Sequence, residues 1–135
     1  MLRKETQKQT ELQIKPFVLA KLEKDKFNIT NYGHGVALNV KIKPLVVDEA
    51  AQIYINFNES IPILKSGETL LIEGESFCRG SSKGEFFLAH LDPKYANREL
   101  QLEVSFQNVE FCSFCTRERI SPRKREIIDF KVTKI

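Results

Sequence analysis

Tryptophan is absent, methionine occurs once, and glycine and proline number only 6 and 5 in 135 residues. That scarcity excludes collagen-like and low-complexity chains. No run of about 18 apolar residues occurs, so no segment of this sequence reads as a membrane-spanning helix. The first eleven residues, MLRKETQKQTE, are polar and lack the apolar centre of a secretion signal. Cysteine is scarce and odd in number. Three thiols allow one intrachain disulfide at most, unlike the dense, even sets of small secreted scaffolds, and point toward a reducing compartment. Charge of neither sign prevails. With 21 Lys and Arg against 18 Asp and Glu the net charge is +3, short of the concentrated basic face of a nucleic-acid-binding domain.

What the chain does hold is phenylalanine, at 10 residues, together with frequent isoleucine and valine. These side chains suit a pleated, half-buried surface. The length fits one domain able to bury roughly two-thirds of the surface its unfolded chain exposes, with no metal or disulfide required. Residues 1–11 read as a polar N-terminal connector and residues 12–135 as the folded domain.

Within that domain, apolar residues recur at every second position, the signature of a half-buried strand. Ile14, Val18, Ala20 and Leu22 share one parity, and Pro16 marks an edge or a break. Residues 24–26 form a turn, after which Phe27 and Ile29 point inward. Residues 32–35, Tyr-Gly-His-Gly, form a loop. A long strand over 36–45 turns Leu38, Val40 and Ile42 to one face. Strands follow at 52–58, 61–64 and 69–73, with a polar loop at 78–85 and extended chain at 86–88. Asp92-Pro93 is a helix-start signal and predicts one short turn over 93–97. Residues 98–107 alternate without error, residues 109–120 return as a hairpin, and residues 126–135 close the domain with Ile128, Phe130 and Val132 inward. The expectation is an all-β fold, an immunoglobulin-like β-sandwich of about eight to nine antiparallel strands.

Residues 31–40, NYGHGVALNV, place a strand ending in Asn, a glycine loop and Ala-x-Asn-Val in succession. Residues 102–109, LEVSFQNV, read as a late hairpin. Both pieces resemble bacterial immunoglobulin-like or CARDB-like sandwich domains, many of which follow an N-terminal transmembrane helix. The resemblance covers about residues 12–135. It implies a domain tethered by an anchor outside this chain, with residues 1–16 as the connector. It brings no catalytic residues, and the fold hosts many functions.

Candidate sites are few. Cys112 and Cys115 sit three apart, where a flat strand would separate them by about 10 Å on opposite faces, too far to chelate or bridge. They are small apolar residues, or partners of Cys78 in a disulfide, or, if the strand bends, part of a metal or redox site with Cys78 and His34 or His90. Tyr32 and His34 lie in a loop of the kind that carries recognition. Arg117, Arg119, Arg123, Lys124 and Arg125 make a basic run suited to phosphates, diluted by Glu118 and Glu126. No acid and base are paired for catalysis, and no cofactor is expected. The leading expectation is a non-catalytic domain that binds an unknown protein partner through loop ends or an open sheet edge, with nucleic acid not expected. The alternatives are a cysteine-dependent metal or redox module and a phosphate or anionic-surface binder.

Overall fold

Alternating side chains set the architecture. The computed structural model describes residues 15–23, 26–57, 60–86, 88–91, 94–95 and 97–135, and among these the chain forms twelve strands. They are β1 (Val18–Glu23), β2 (Lys26–Asn31), β3 (Ala37–Ile42), β4 (Leu45–Asp48), β5 (Ile53–Asn56), β6 (Ser60–Leu64), β7 (Thr69–Ile72), β8 (Glu75–Cys78), β9 (Ser81–Glu85), β10 (Leu100–Gln107), β11 (Ser113–Ser121) and β12 (Glu126–Lys134). All pairings are antiparallel. They build three sheets, ordered β1-β2-β7, β12-β11-β10-β3-β6 and β4-β5-β8-β9.

The all-β expectation holds in this form, with twelve strands instead of eight or nine. Two differences account for most of the excess. The expected strand over 36–45 breaks at Lys43-Pro44, because proline has no N–H to continue a ladder, and yields β3 and β4. The expected polar loop at 78–85 is instead the hairpin of β8 and β9, turned by Arg79 and Gly80, both at positive φ. Among the described residues there is no α-helix. A four-residue 3-10 turn, Leu88–Leu91, begins at the last residue of the extended segment expected at 86–88, upstream of the helical turn expected at 93–97. Of that turn, Asp92, Pro93 and Ala96 lie outside the described residues. The Tyr95 N–H donates to the Leu91 carbonyl at 2.9 Å.

The core draws on every sheet. Leu100, Leu102, Val104 and Phe106 of β10 are all buried, as are Val18, Ala20 and Leu22 of β1 and Phe27 and Ile29 of β2. Phe27 meets Phe57 edge-on at 5.4 Å and lies 5.4 Å from Phe86. Such aromatic contacts are worth roughly 0.5–1.5 kcal/mol beyond their area. In β3 the inward row changes parity. Val40 and Ile42 are buried as expected, but Leu38 is only partly buried and its neighbour Ala37 takes the core position. The cause is a bulge: Asn39 sits at φ 50, and the β3–β10 register shifts between Ser105 and Gln107. One extra residue turns every later side chain to the other face.

Residues 15–17 cross beside the 32–35 loop, and Gly33 permits it. A Cβ on Gly33 would lie 2.5 Å from the Lys15 carbonyl oxygen and 2.6 Å from the Phe17 nitrogen, both backbone atoms that cannot swing aside. Gly33→Ala should therefore destabilise the domain by about 2 kcal/mol, the scale of an overpacked site. Thermal unfolding of the variant checks this, and an unchanged midpoint contradicts the close approach.

Candidate functional site: an open sheet edge

Each sheet ends in edge strands, and β12 is the longest of them. β6 is five residues long and carries Pro62. β4 and β7 are four residues each, too short to template much pairing. β9 contains Gly84 at positive φ and exposes all five residues. β1 is six residues long, and its Ala20 N–H is capped by the Glu118 carboxyl at 2.7 Å. β12 differs. It runs nine residues, Glu126–Lys134, with neither proline nor glycine, and among the described residues it pairs only with β11.

The ladder fixes which way its backbone points. The Ile135 N–H donates to the Ser113 carbonyl at 2.9 Å, so this pair and every second pair back to Asp129, where a bulge shifts the register, bond toward β11. Asp129, Lys131 and Thr133 thus spend their N–H and C=O groups inside the sheet, and Phe130, Val132 and Lys134 turn theirs to the open side.

Side chains add an apolar row to that edge. Phe130 stands opposite Glu118 and Val132 opposite Thr116, so both share the face that β11 turns to the core. Yet Phe130 is 48% exposed and Ile128 43%. The inward placement expected for Ile128, Phe130 and Val132 is thus corrected: a bulge sets Ile127, not Ile128, opposite Ile120, and Phe130 and Val132 face the core side with little cover. The three-stranded sheet ends at β1, whose Ala20 N–H reaches Glu118 of β11. Only Val132 packs partly against the core. Phe17 covers one side of Phe130, with ring centroids 5.1 Å apart, and Tyr32 continues the cluster at 6.4 Å from Phe17. Tyr32 is 53% exposed. Asn31, wholly buried, holds this corner. Its Oδ1 accepts the Phe17 and Gly33 N–H groups at 3.1 and 3.0 Å, and its Nδ2 donates to the Gly35 and Leu64 carbonyls at 2.7 and 3.0 Å.

The outer face is a charge ladder. Arg117 lies between Glu103 of β10 and Lys131 of β12, and its Nε is 3.3 Å from the Glu103 carboxylate. Arg119 pairs with Asp129 and, at 3.0 Å, with Glu99. These acids raise the Arg119 pKa further above its ordinary value, and the Arg119 hydrogen bond holds Asp129 below the usual carboxylate range. Arg123 donates to Asn97 at 3.0 Å, and Lys124 and Arg125 lie in the turn between β11 and β12. The basic run is thereby divided between strand and turn, and its two strand arginines already face carboxylates.

The remaining candidates are dispersed. His34 is exposed in its loop, and His90 is 3.0 Å from the Ser76 hydroxyl. Cys78 lies on β8 of the four-stranded sheet, Cys112 precedes β11, and Cys115 is buried within β11. All three are free thiols. Among the described residues no cluster of three or more His, Cys, Asp or Glu could hold a metal ion. Sequence reasoning missed Glu118, which is 1% exposed, with Oε1 accepting from Ala20. Its Oε2 and the Thr116 Oγ1 have no hydrogen-bond partner among the described residues. Burial pushes the Glu118 carboxyl up to about 8, against the smaller opposing effect of the Ala20 N–H. The signal was present, since Phe114, Thr116, Glu118 and Ile120 share one parity and the flanking pair is apolar. Also missed was Asp48, whose carboxylate accepts from the Ala51 N–H at 3.2 Å and the Tyr95 hydroxyl at 3.0 Å and lies below its ordinary pKa for those reasons. It ties the β4 end to the chain entering β10.

An all-β fold with a nine-residue edge strand is what the residues define. Residues 1–134 match a protein family described as Domain of unknown function (DUF8453), and the chain belongs to that family. No curated protein and no solved structure matches the chain. Among the described residues no helix is long and apolar enough to cross a membrane.

Proposed function

We propose that this is a non-catalytic protein-interaction domain, an immunoglobulin-like sandwich in its layering, that takes up an extended segment along β12. The observation that carries the reading is the nine-residue edge free of proline and glycine, flanked by a half-exposed apolar row. Strand addition uses both: open N–H and C=O groups supply main-chain bonds, and alternate side chains fill the exposed face. Presentation by a membrane anchor outside this chain is part of the proposal and rests on the resemblance alone.

Val132→Pro separates this reading from others. The Val132 N–H points away from β11, so proline there removes an edge donor without breaking a ladder bond. Random peptides displayed on phage and selected on the full chain should enrich sequences that alternate apolar and charged residues. Their binding should fall by about tenfold or more on the Val132→Pro variant, the loss of about one well-made backbone hydrogen bond. Enriched peptides that bind the variant equally well would overturn the assignment.

A further inference from the structure

We infer that the segment this edge accepts is β12 of a second copy of the chain, paired antiparallel about a two-fold axis through Phe130. The inference rests on the strand-addition reading above and names its partner. Its basis is that β12 is complementary to itself in one register and in conflict with itself in the neighbouring ones.

Three conditions select the register. Directly opposed residues lie on one face of a sheet, so only registers that pair even with even and odd with odd keep the apolar rows of both copies together. Of these, centring on Asp129 sets two carboxylates opposite each other, and centring on Lys131 sets two ammonium groups opposite each other. Either arrangement is destabilising. Centring on Phe130 sets Asp129 against the second copy's Lys131 and Lys131 against the second copy's Asp129. It also stacks Phe130 against its own copy, so each half-exposed ring gains cover from the other.

The backbone agrees. Phe130 turns its N–H and C=O to the open side, so the central pair can exchange both hydrogen bonds. The Asp129 and Lys131 pairs then fall at non-hydrogen-bonded positions, where side chains approach most closely. Electrostatics within one copy also leaves the place open. Lys131 stands directly opposite Arg117, a like-charge pair, and has no ion-pair partner among the described residues. The second copy's Asp129 supplies the missing carboxylate, and the network Glu103–Arg117–Lys131 then continues across the axis.

Charge variants of the full chain test this by sedimentation velocity over a wide concentration range. The wild type should pass from monomer to dimer, and Val132→Pro should abolish the transition while its thermal unfolding stays that of a folded domain. Lys131→Asp and Asp129→Lys should each weaken self-association by about tenfold or more, since each sets like charges across the axis. Mixed in equal amounts, the two variants should form a heterodimer, because every cross-axis pair is then of opposite sign. A wild type that stays monomeric throughout, or a dimer that Lys131→Asp leaves unchanged, overturns the inference. The peptide selection above then reports separately whether β12 still takes a strand from another source.

Discussion

Replacing Asn31 by alanine should cost the domain about 4 kcal/mol or more, the largest loss expected from any single polar substitution here. The side chain is wholly buried and uses all four of its hydrogen-bonding positions, two accepting from Phe17 and Gly33 and two donating to Gly35 and Leu64. Alanine leaves two N–H groups and two carbonyls without partners, and each buried orphan costs roughly 1–3 kcal/mol. Aspartate should do no better, because its second oxygen would face the Gly35 and Leu64 carbonyls in place of a donor. Neighbouring backbone bonds from Asn31 N–H to the Glu68 carbonyl and from Gly67 N–H to the Asn31 carbonyl tie the same corner to the β6–β7 turn. The loss therefore reaches the aromatic cluster, because Phe17 and Tyr32 flank Phe130 only while that corner holds. Urea unfolding measures the cost, and a loss below about 1 kcal/mol would contradict the network.

Glu118→Gln should remove a pH dependence that the wild type shows between about pH 4.5 and 8. Burial raises the Glu118 carboxyl from its ordinary 4.5 to about 8 in the folded chain. Over that window the folded state binds a proton that the unfolded state has released. Stability is therefore fully present below the unfolded value, falls as pH rises through the window, and levels off above the folded value. The full drop is on the order of 5 kcal/mol, since each pKa unit corresponds to about 1.4 kcal/mol. Glutamine keeps an oxygen to accept the Ala20 N–H and has no proton to lose. The difference in unfolding free energy between wild type and variant, taken at pH 5 and pH 8.5, cancels the other titrating groups. It should shift in the variant's favour at the higher pH, and a difference that is the same at both values would show that Glu118 is ionised in the fold.

The alternation in β10 made that strand legible before any coordinates, because all four of its inward residues sit under other strands and nothing disturbs the count. β3 was legible only as far as its bulge. Asn39 gives no warning in a period-two pattern, and the parity change that buries Ala37 in place of Leu38 depends on a backbone angle. β9 was hidden for another reason: an edge strand with every residue exposed has no apolar row to read. β12 misled in the opposite sense. Its Ile128, Phe130 and Val132 look like a core row, and whether such a row is covered depends on what packs over it, which only the fold reveals. The sequence offered loop ends or an open sheet edge as the binding surface, and which edge is open was not legible in it. The basic run and the cysteine pair stood out in one dimension, but the fold sets the strand arginines against carboxylates and places Cys78 in a different sheet from Cys115.

Amide hydrogen exchange along β12, read residue by residue in dilute protein, tests the open edge most directly. Asp129, Lys131 and Thr133 should exchange slowly because their N–H groups bond to β11, and Phe130, Val132 and Lys134 should exchange fast because theirs meet water. Raising the protein concentration should slow the second set alone. Uniform slow exchange at every residue of β12 in the dilute monomer would mean that this edge is already occupied, and would contradict the account.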